Sequence, residues 1–215
     1  YSKRSDEKNM QISKEIQKQF PSLKACFPTS WDGDDASVNG ISRRYGEEAS
    51  AEIFFQDMNQ YDFIVSRAVM EHVQDPELSI RRMAQALKPS GYLLHKVDLR
   101  DHGLFTPYFH ELKYLEVPDL IYQRMTKDSG KPNRVLVNRY RDSLLKHLPN
   151  FQIYVTHLAN VGEINPHLPY ETIPRDLRRI SLEYISSVRH KFAKSLRDTS
   201  SEDLSITGFF LVANK

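Results

Sequence analysis

Four ionisable residues crowd the end of one apolar run: Asp98, Arg100, Asp101 and His102, within His95-Lys96-Val97-Asp98-Leu99-Arg100-Asp101-His102-Gly103. Side chains alternate along a strand, so His95, Val97 and Leu99 share one face while Lys96 and Asp98 share the other. Charges at the end of a strand inside a sheet are expensive unless they pair or meet a ligand. If they meet one, His102 can accept a proton from an attacking hydroxyl or amine, with Asp98 or Asp101 orienting its imidazole. Arg100 would then hold an anionic or hydroxyl-rich substrate. The alternative is a structural Arg–Asp cluster that ties the strand end to the next element. A second polar pair, Glu71-His72, follows Ser66-Arg67-Ala68 at the end of an earlier apolar run. There His72 either lines a pocket or caps a turn by donating to a carbonyl. Lys131 and Arg134 are spaced to form a phosphate-binding pair, or else belong to a solvated turn.

These residues need elements to hold them. The apolar run over residues 62–66 reads as a strand of the parallel kind covered on both faces. Asp75-Pro76 opens a helix with proline near its first position, and Leu78, Met83, Ala84 and Leu87 form its core stripe. Lys88-Pro89-Ser90-Gly91 stops that helix, and residues 92–99 read as the next buried strand. Connections this short imply a parallel crossover. Further helices are expected over residues 5–19, 114–125 and 138–148, and a long amphipathic one over 174–196, its apolar face built from Leu177, Ile180, Leu182, Ile185, Val188 and Phe192. Short strands are expected over 41–45 and 151–158, and a final one over 204–213. Residues 27–40, with Trp31 as their one large anchor, read as a loop.

Composition narrows the class. A chain of 215 residues supports one sizeable core. Its net charge of +2 gives no electrostatic footprint for nucleic acid. No apolar run is long enough to span a bilayer. The single cysteine, Cys26, rules out an internal disulfide and any multi-cysteine metal site, which makes a cytoplasmic location the default. No G-x-S-x-G elbow supports an α/β hydrolase.

The run Tyr61-Asp62-Phe63-Ile64-Val65-Ser66-Arg67-Ala68-Val69-Met70-Glu71-His72-Val73, followed by Leu87-Lys88-Pro89-Ser90-Gly91-Tyr92, resembles the class I S-adenosylmethionine-dependent methyltransferases. The Val97-to-Gly103 run, followed by Gly130-Lys131-Pro132-Asn133-Arg134, further resembles a subset often found beside sugar and polysaccharide biosynthesis genes. The resemblance implies an α/β, doubly wound, Rossmann-like sheet, with a helical insertion or lid over 161–200 before the last strand, all in one domain over 1–215. In that family a sixth strand and an antiparallel seventh pair at the sheet's edge. The resemblance also implies S-adenosylmethionine as cofactor and methyl transfer to oxygen or nitrogen of a small polar acceptor, a sugar or nucleotide-sugar among the candidates. Cofactor contacts would then come from Glu47, Glu48 and Ala49 beside the adenine, and from Ser66, Arg67, Ala68 and His72 under the methionine end. In some relatives a carboxylate three residues before the Glu-His pair completes a magnesium site. That position is Ala68 here, so no metal is expected.

The family's glycine-rich turn and first strand have no counterpart before Asp62. A chain that begins at Tyr1 is therefore expected to be an incomplete enzyme, or else a degenerate methyltransferase-like binding or scaffold domain. The expected partner is a small molecule, with neither nucleic acid nor membrane implied.

Overall fold

The computed structural model describes residues 11–12, 14–19, 21, 44, 46–103, 105, 110–127 and 129–215. The chain divides into two units, residues 1–48 and 49–215. In the first, residues 14–19 are helical, within the span expected for the first helix. Cys26, Trp31, the loop at 27–40 and all of the strand expected at 41–45 except Arg44 lie outside the described residues. Glu47–Ala49 forms a 3₁₀ turn at the boundary.

The second unit is built on five strands: β1 (Tyr61–Arg67), β2 (Leu87–Asp98), β3 (Asn150–Leu158), β4 (Gly162–Leu168) and β5 (Ile206–Asn214). Their order in the sheet is β1-β2-β5-β3-β4. β1 and β2 run parallel, with Ser66 beside His95 and Arg67 beside Lys96. β5 lies antiparallel between β2 and β3, and β3 pairs antiparallel with β4. This is a mixed α/β sheet of the expected type, and among the described residues no strand precedes Tyr61.

Helix α1 (Ala51–Phe54) leads into β1. Helix α2 (Pro76–Ala86) makes the β1–β2 crossover, and the Asp75 side chain caps it by accepting from Leu78 N. Its buried Ile80, Met83 and Ala84 pack on the sheet beside α4 (Val137–His147), whose Tyr140 sets its ring edge-on to Phe209 at 5.1 Å. Gly91 is required where β2 leaves the helix end. A side chain there would sit 2.9 Å from the carbonyl oxygens of Lys88 and Tyr61. From Gly91 onward β2 alternates, and Leu93, His95 and Val97 enter the core as the pattern predicts.

Three expectations need correction. β1 is not covered on both faces: Ile64 is buried, but Phe63 and Val65 are 62 % and 67 % exposed, because β1 is the edge strand of the described sheet. The segment from 161 opens with a strand, β4, rather than a helix. Pro166 within it lacks a donor and masked the pattern, yet β4 tolerates it as an edge strand. Finally, the long helix ends early. Helix α5 covers Arg175–Val188, followed by 3₁₀ turns at Arg189–Lys191 and Lys194–Leu196. The Ala193 N–H donates to Leu115 O at 2.8 Å instead of to its own helix, and Phe192 is fully buried. Ile185, Val188 and Phe192 thereby join Leu112, Tyr114, Leu115 and Tyr122 in a second apolar cluster, which anchors the insertion under helix α3 (Asp119–Thr126). A short helix α6 (Ser201–Ser205), capped by Ser200, precedes β5.

Candidate functional site

The carboxyl ends of the parallel strands β1 and β2 lie side by side, where ligands of doubly wound sheets bind. After β1, Ala68 takes a left-handed backbone (φ 52°) while its N–H remains paired to Lys96 O at 2.9 Å. The turn that follows folds inward, burying Met70 and Glu71. Asn133 holds it there. Its Nδ2 donates to Met70 O (2.9 Å) and Val73 O (3.0 Å), and its backbone N–H to Glu71 O (2.5 Å). The Tyr140 hydroxyl adds a second donor to Met70 O at 3.1 Å.

After β2 the chain reverses with His102 (φ 51°) and Gly103 (φ 74°) both left-handed. Asp101 stabilises that reversal by accepting from Gly103 N (2.6 Å) and Phe105 N (3.2 Å). Its carboxylate is thus a turn brace, and the expected orienting role toward His102 falls to Asp98 alone. Asp98 Oδ2 lies 3.6 Å from His102 Nε2, and Glu71 Oε1 lies 4.0 Å from the same nitrogen. The His102 and His72 rings meet edge to face, 5.0 Å apart.

Electrostatics separates the two carboxylates. Burial pushes the Glu71 carboxyl above the ordinary glutamate range, partly offset by backbone donors at Glu71 and Asp98. Burial also acts to raise Asp98, but the Arg100 guanidinium outweighs it and holds that carboxyl below its usual range. Arg100 grips Asp98 with Nε at 2.8 Å and Nη2 at 2.6 Å. The structural Arg–Asp pairing weighed in the sequence is therefore present, and it takes two of the five guanidinium donors of Arg100.

The other predicted positions divide. Glu47 and Glu48 are exposed on their 3₁₀ turn, and Ala49 is half-buried. Ser66 Oγ is spent on His95 Nδ1 at 2.6 Å, while Arg67 and Ala68 are exposed at the end of β1. Lys131 is exposed, but Arg134 does not join it in a phosphate pair. The Arg134 guanidinium is half-buried, donating to Tyr114 O, Val117 O and Asp119 Oδ1 and stacking 3.8 Å over the Tyr122 ring. The Gly-Lys-Pro-Asn-Arg run thus works as a strap, with Asn133 clamping the 70–73 turn and Arg134 clamping the base of α3. Sequence reasoning noted Glu71 only as half of the Glu71-His72 pair and gave it no role of its own; its full burial is what brings it into the site.

Residues 10–160 match the family model described as "Methyltransferase domain". The chain belongs to this methyltransferase family. No curated protein sequence matches it. Among solved structures, a methyltransferase from Thermotoga maritima is 14 % identical with a TM-score of 0.39, over 77 % of this chain and 61 % of that one. A methyltransferase from Archaeoglobus fulgidus is 13 % identical at TM-score 0.39, over 78 % and 66 %. Phosphoethanolamine N-methyltransferase 2 from Haemonchus contortus is 15 % identical at 0.34, over 74 % and 34 %. These likenesses are loose, and the family model carries the assignment. The chain spans about three-fifths of the length of the first of these structural relatives.

The family implies S-adenosylmethionine, and the strand ends of this methyltransferase domain fit a polar ligand in one respect. His72 Nδ1 and Glu71 Oε2 are buried there without a hydrogen-bond partner among the described residues. A glycine-rich turn to cradle the cofactor is not found among those residues.

Proposed function

We propose that this domain serves S-adenosylmethionine-dependent methyl transfer to oxygen or nitrogen of a small polar acceptor, with a sugar or nucleotide-sugar as the acceptor class. The observation that carries this reading, beside family membership, is the meeting of His102, Asp98 and Glu71 at the carboxyl ends of adjacent parallel strands. The cofactor, when bound, supplies an already activated methyl group. The protein's task is then to align the acceptor, exclude water and take up a proton. Arg67, Ala68 and His72 would border the cofactor's methionine end, with Glu47, Glu48 and Ala49 proposed for its adenine. His102, oriented by Asp98, would face the acceptor's reacting atom. Arg100 would reach the acceptor only with donors left over from Asp98, and Lys131 would act alone without Arg134.

His102→Ala in the active protein is expected to lower turnover by about 10²–10⁴-fold, the usual contribution of a positioned proton acceptor, and to leave S-adenosylhomocysteine affinity unchanged. Isothermal titration and single-turnover assays read the two quantities separately. Turnover equal to that of the unsubstituted protein would remove His102 from the mechanism. No affinity of the parent protein for S-adenosylhomocysteine would favour the scaffold reading instead. No helix among the described residues is long and apolar enough to cross a membrane.

A further inference from the structure

Glu71, His72 and His102 each aim one ligand atom into the same small space, all within 4.8 Å of one another. Yet Glu71 and His102 do not close into a hydrogen bond. His102 Nε2 stops 4.0 Å from Glu71 Oε1, and Asp98 Oδ2 stays 3.6 Å from the same nitrogen. Glu71 is fully buried, and among the described residues neither its Oε2 nor the buried His72 Nδ1 has a hydrogen-bond partner. Three convergent donors that do not satisfy one another leave a space suited to something they can share. From these observations we infer that Glu71, His72 and His102 form a divalent transition-metal site at the mouth of β1 and β2.

The donor set defines the ion. Two imidazoles and one carboxylate suit zinc-class or cobalt-class ions, whereas calcium and magnesium prefer all-oxygen shells. Ligands of a tetrahedral zinc at 2.0–2.2 Å stand about 3.4 Å apart, so the cluster needs an inward shift of about 1 Å. His102 can make it, because its residue is exposed on a reversing loop. Glu71 and His72 need not move far, because Asn133 pins their turn from two sides. Three protein ligands leave coordination positions open to water or to an acceptor oxygen. Asp98 Oδ2, held by Arg100, lies 3.6 Å from the same His102 Nε2, so it adds negative charge beside the site without binding the other ring nitrogen.

The site runs against the expectation of no metal, which rested on Ala68. The third ligand comes instead from His102, thirty positions downstream of His72. With an ion present, His102 would serve as a ligand, and the raised acidity of an ion-bound acceptor hydroxyl, which gives its proton up to solvent more readily, would stand in for the proton-accepting role. The metal site itself does not rest on methyl transfer.

The test is direct binding of Co²⁺ to the purified, metal-stripped protein, read by visible absorption and by elemental analysis after dialysis against Zn²⁺. One equivalent per chain is expected, with a ligand-field spectrum of low coordination number. Glu71→Gln, which keeps size and burial, and His102→Ala, on an exposed loop, should each weaken binding at least tenfold, while circular dichroism stays that of the parent. Arg134→Lys, outside the cluster, should bind as the parent does. Absence of stoichiometric binding by the folded parent overturns the site, as does undiminished binding by both Glu71→Gln and His102→Ala. Metal binding without S-adenosylhomocysteine binding would leave the site standing while removing the methyl-transfer reading.

Discussion

Asn133 shapes the site from outside it. Three of its atoms make four hydrogen bonds with residues 70–73 or with Val135: Nδ2 bonds two carbonyls, Oδ1 accepts from Val135 N, and the backbone N–H reaches Glu71 O. Truncating it takes the Nδ2 donor from Val73 O and the Oδ1 acceptor from Val135 N and leaves Met70 O to Tyr140 alone, and each group left unpaired costs about 1–3 kcal/mol. Asn133→Ala is therefore expected to destabilise the domain by roughly 2 kcal/mol, seen as a lower urea midpoint with an unchanged denaturant slope. An unaltered midpoint would mean that the turn holds itself. Its neighbour Arg134 shows the limit of reading charge as function. A guanidinium beside a lysine suggests an anion site, but carbonyl oxygens and an aromatic face take up this one.

At the scale of elements, β5 decides the sheet. It enters last in sequence yet lies between β2 and β3, so its residues meet neighbours on both edges. Gly208 sits where β3 is irregular, opposite Asp98 on one side and His157 on the other. A Cβ there would come within 2.7 Å of Thr156 Oγ1 and 3.2 Å of His157 Nδ1. Gly208→Ala should destabilise by about 1–3 kcal/mol through this overpacking, and the loss should appear in thermal unfolding. A neutral result would show that β3 can yield at its bulge. Helix α5 teaches a related lesson. Its apolar spacing continues through Phe192, but the backbone bond from Ala193 to Leu115 ends the helix before that residue.

For the whole molecule, the buried ionisable groups tie stability to pH. His95 sits in the core, and burial pushes its imidazole down to about 4. The unfolded chain, with histidine near 6.5, binds more protons than the fold between those values. Stability contributed by neutral His95 is therefore complete above about 6.5 and falls as the pH drops toward about 4, by up to about 3 kcal/mol. Glu71 opposes this, since its raised carboxyl binds more protons folded than unfolded and loses stability as pH rises. Urea midpoints from pH 7 to 4, compared between the parent and His95→Gln, isolate the histidine: the parent should fall more steeply, and parallel curves would refute the assignment. At the same scale, β1 presents Phe63, stacked on Tyr92 at 5.9 Å, together with Val65 on an exposed apolar face. That face is a liability for a sheet edge unless something covers it.

Periodicity and end signals determined much of this protein on their own. The short apolar run before Ser66, the Asp75-Pro76 helix start and the alternation from Gly91 each follow from local chemistry, so β1, α2 and β2 are legible without neighbours. The family resemblance and the strand-end position of Asp98, His102 and His72 came from the same local patterns. Tertiary structure alone decided which of those polar residues are free to act. Arg134 is consumed by partners close in space and Arg100 is turned toward Asp98, Asp101 is taken by its own turn, and Ser66 by His95 on the adjacent strand. It also joined Glu71 and His72 to His102, and it placed a proline-bearing edge strand where no alternation announced one. The reason is physical: hydrogen-bond capacity and burial depend on which distant backbone and side-chain atoms arrive at a given point, and spacing along the chain does not encode that.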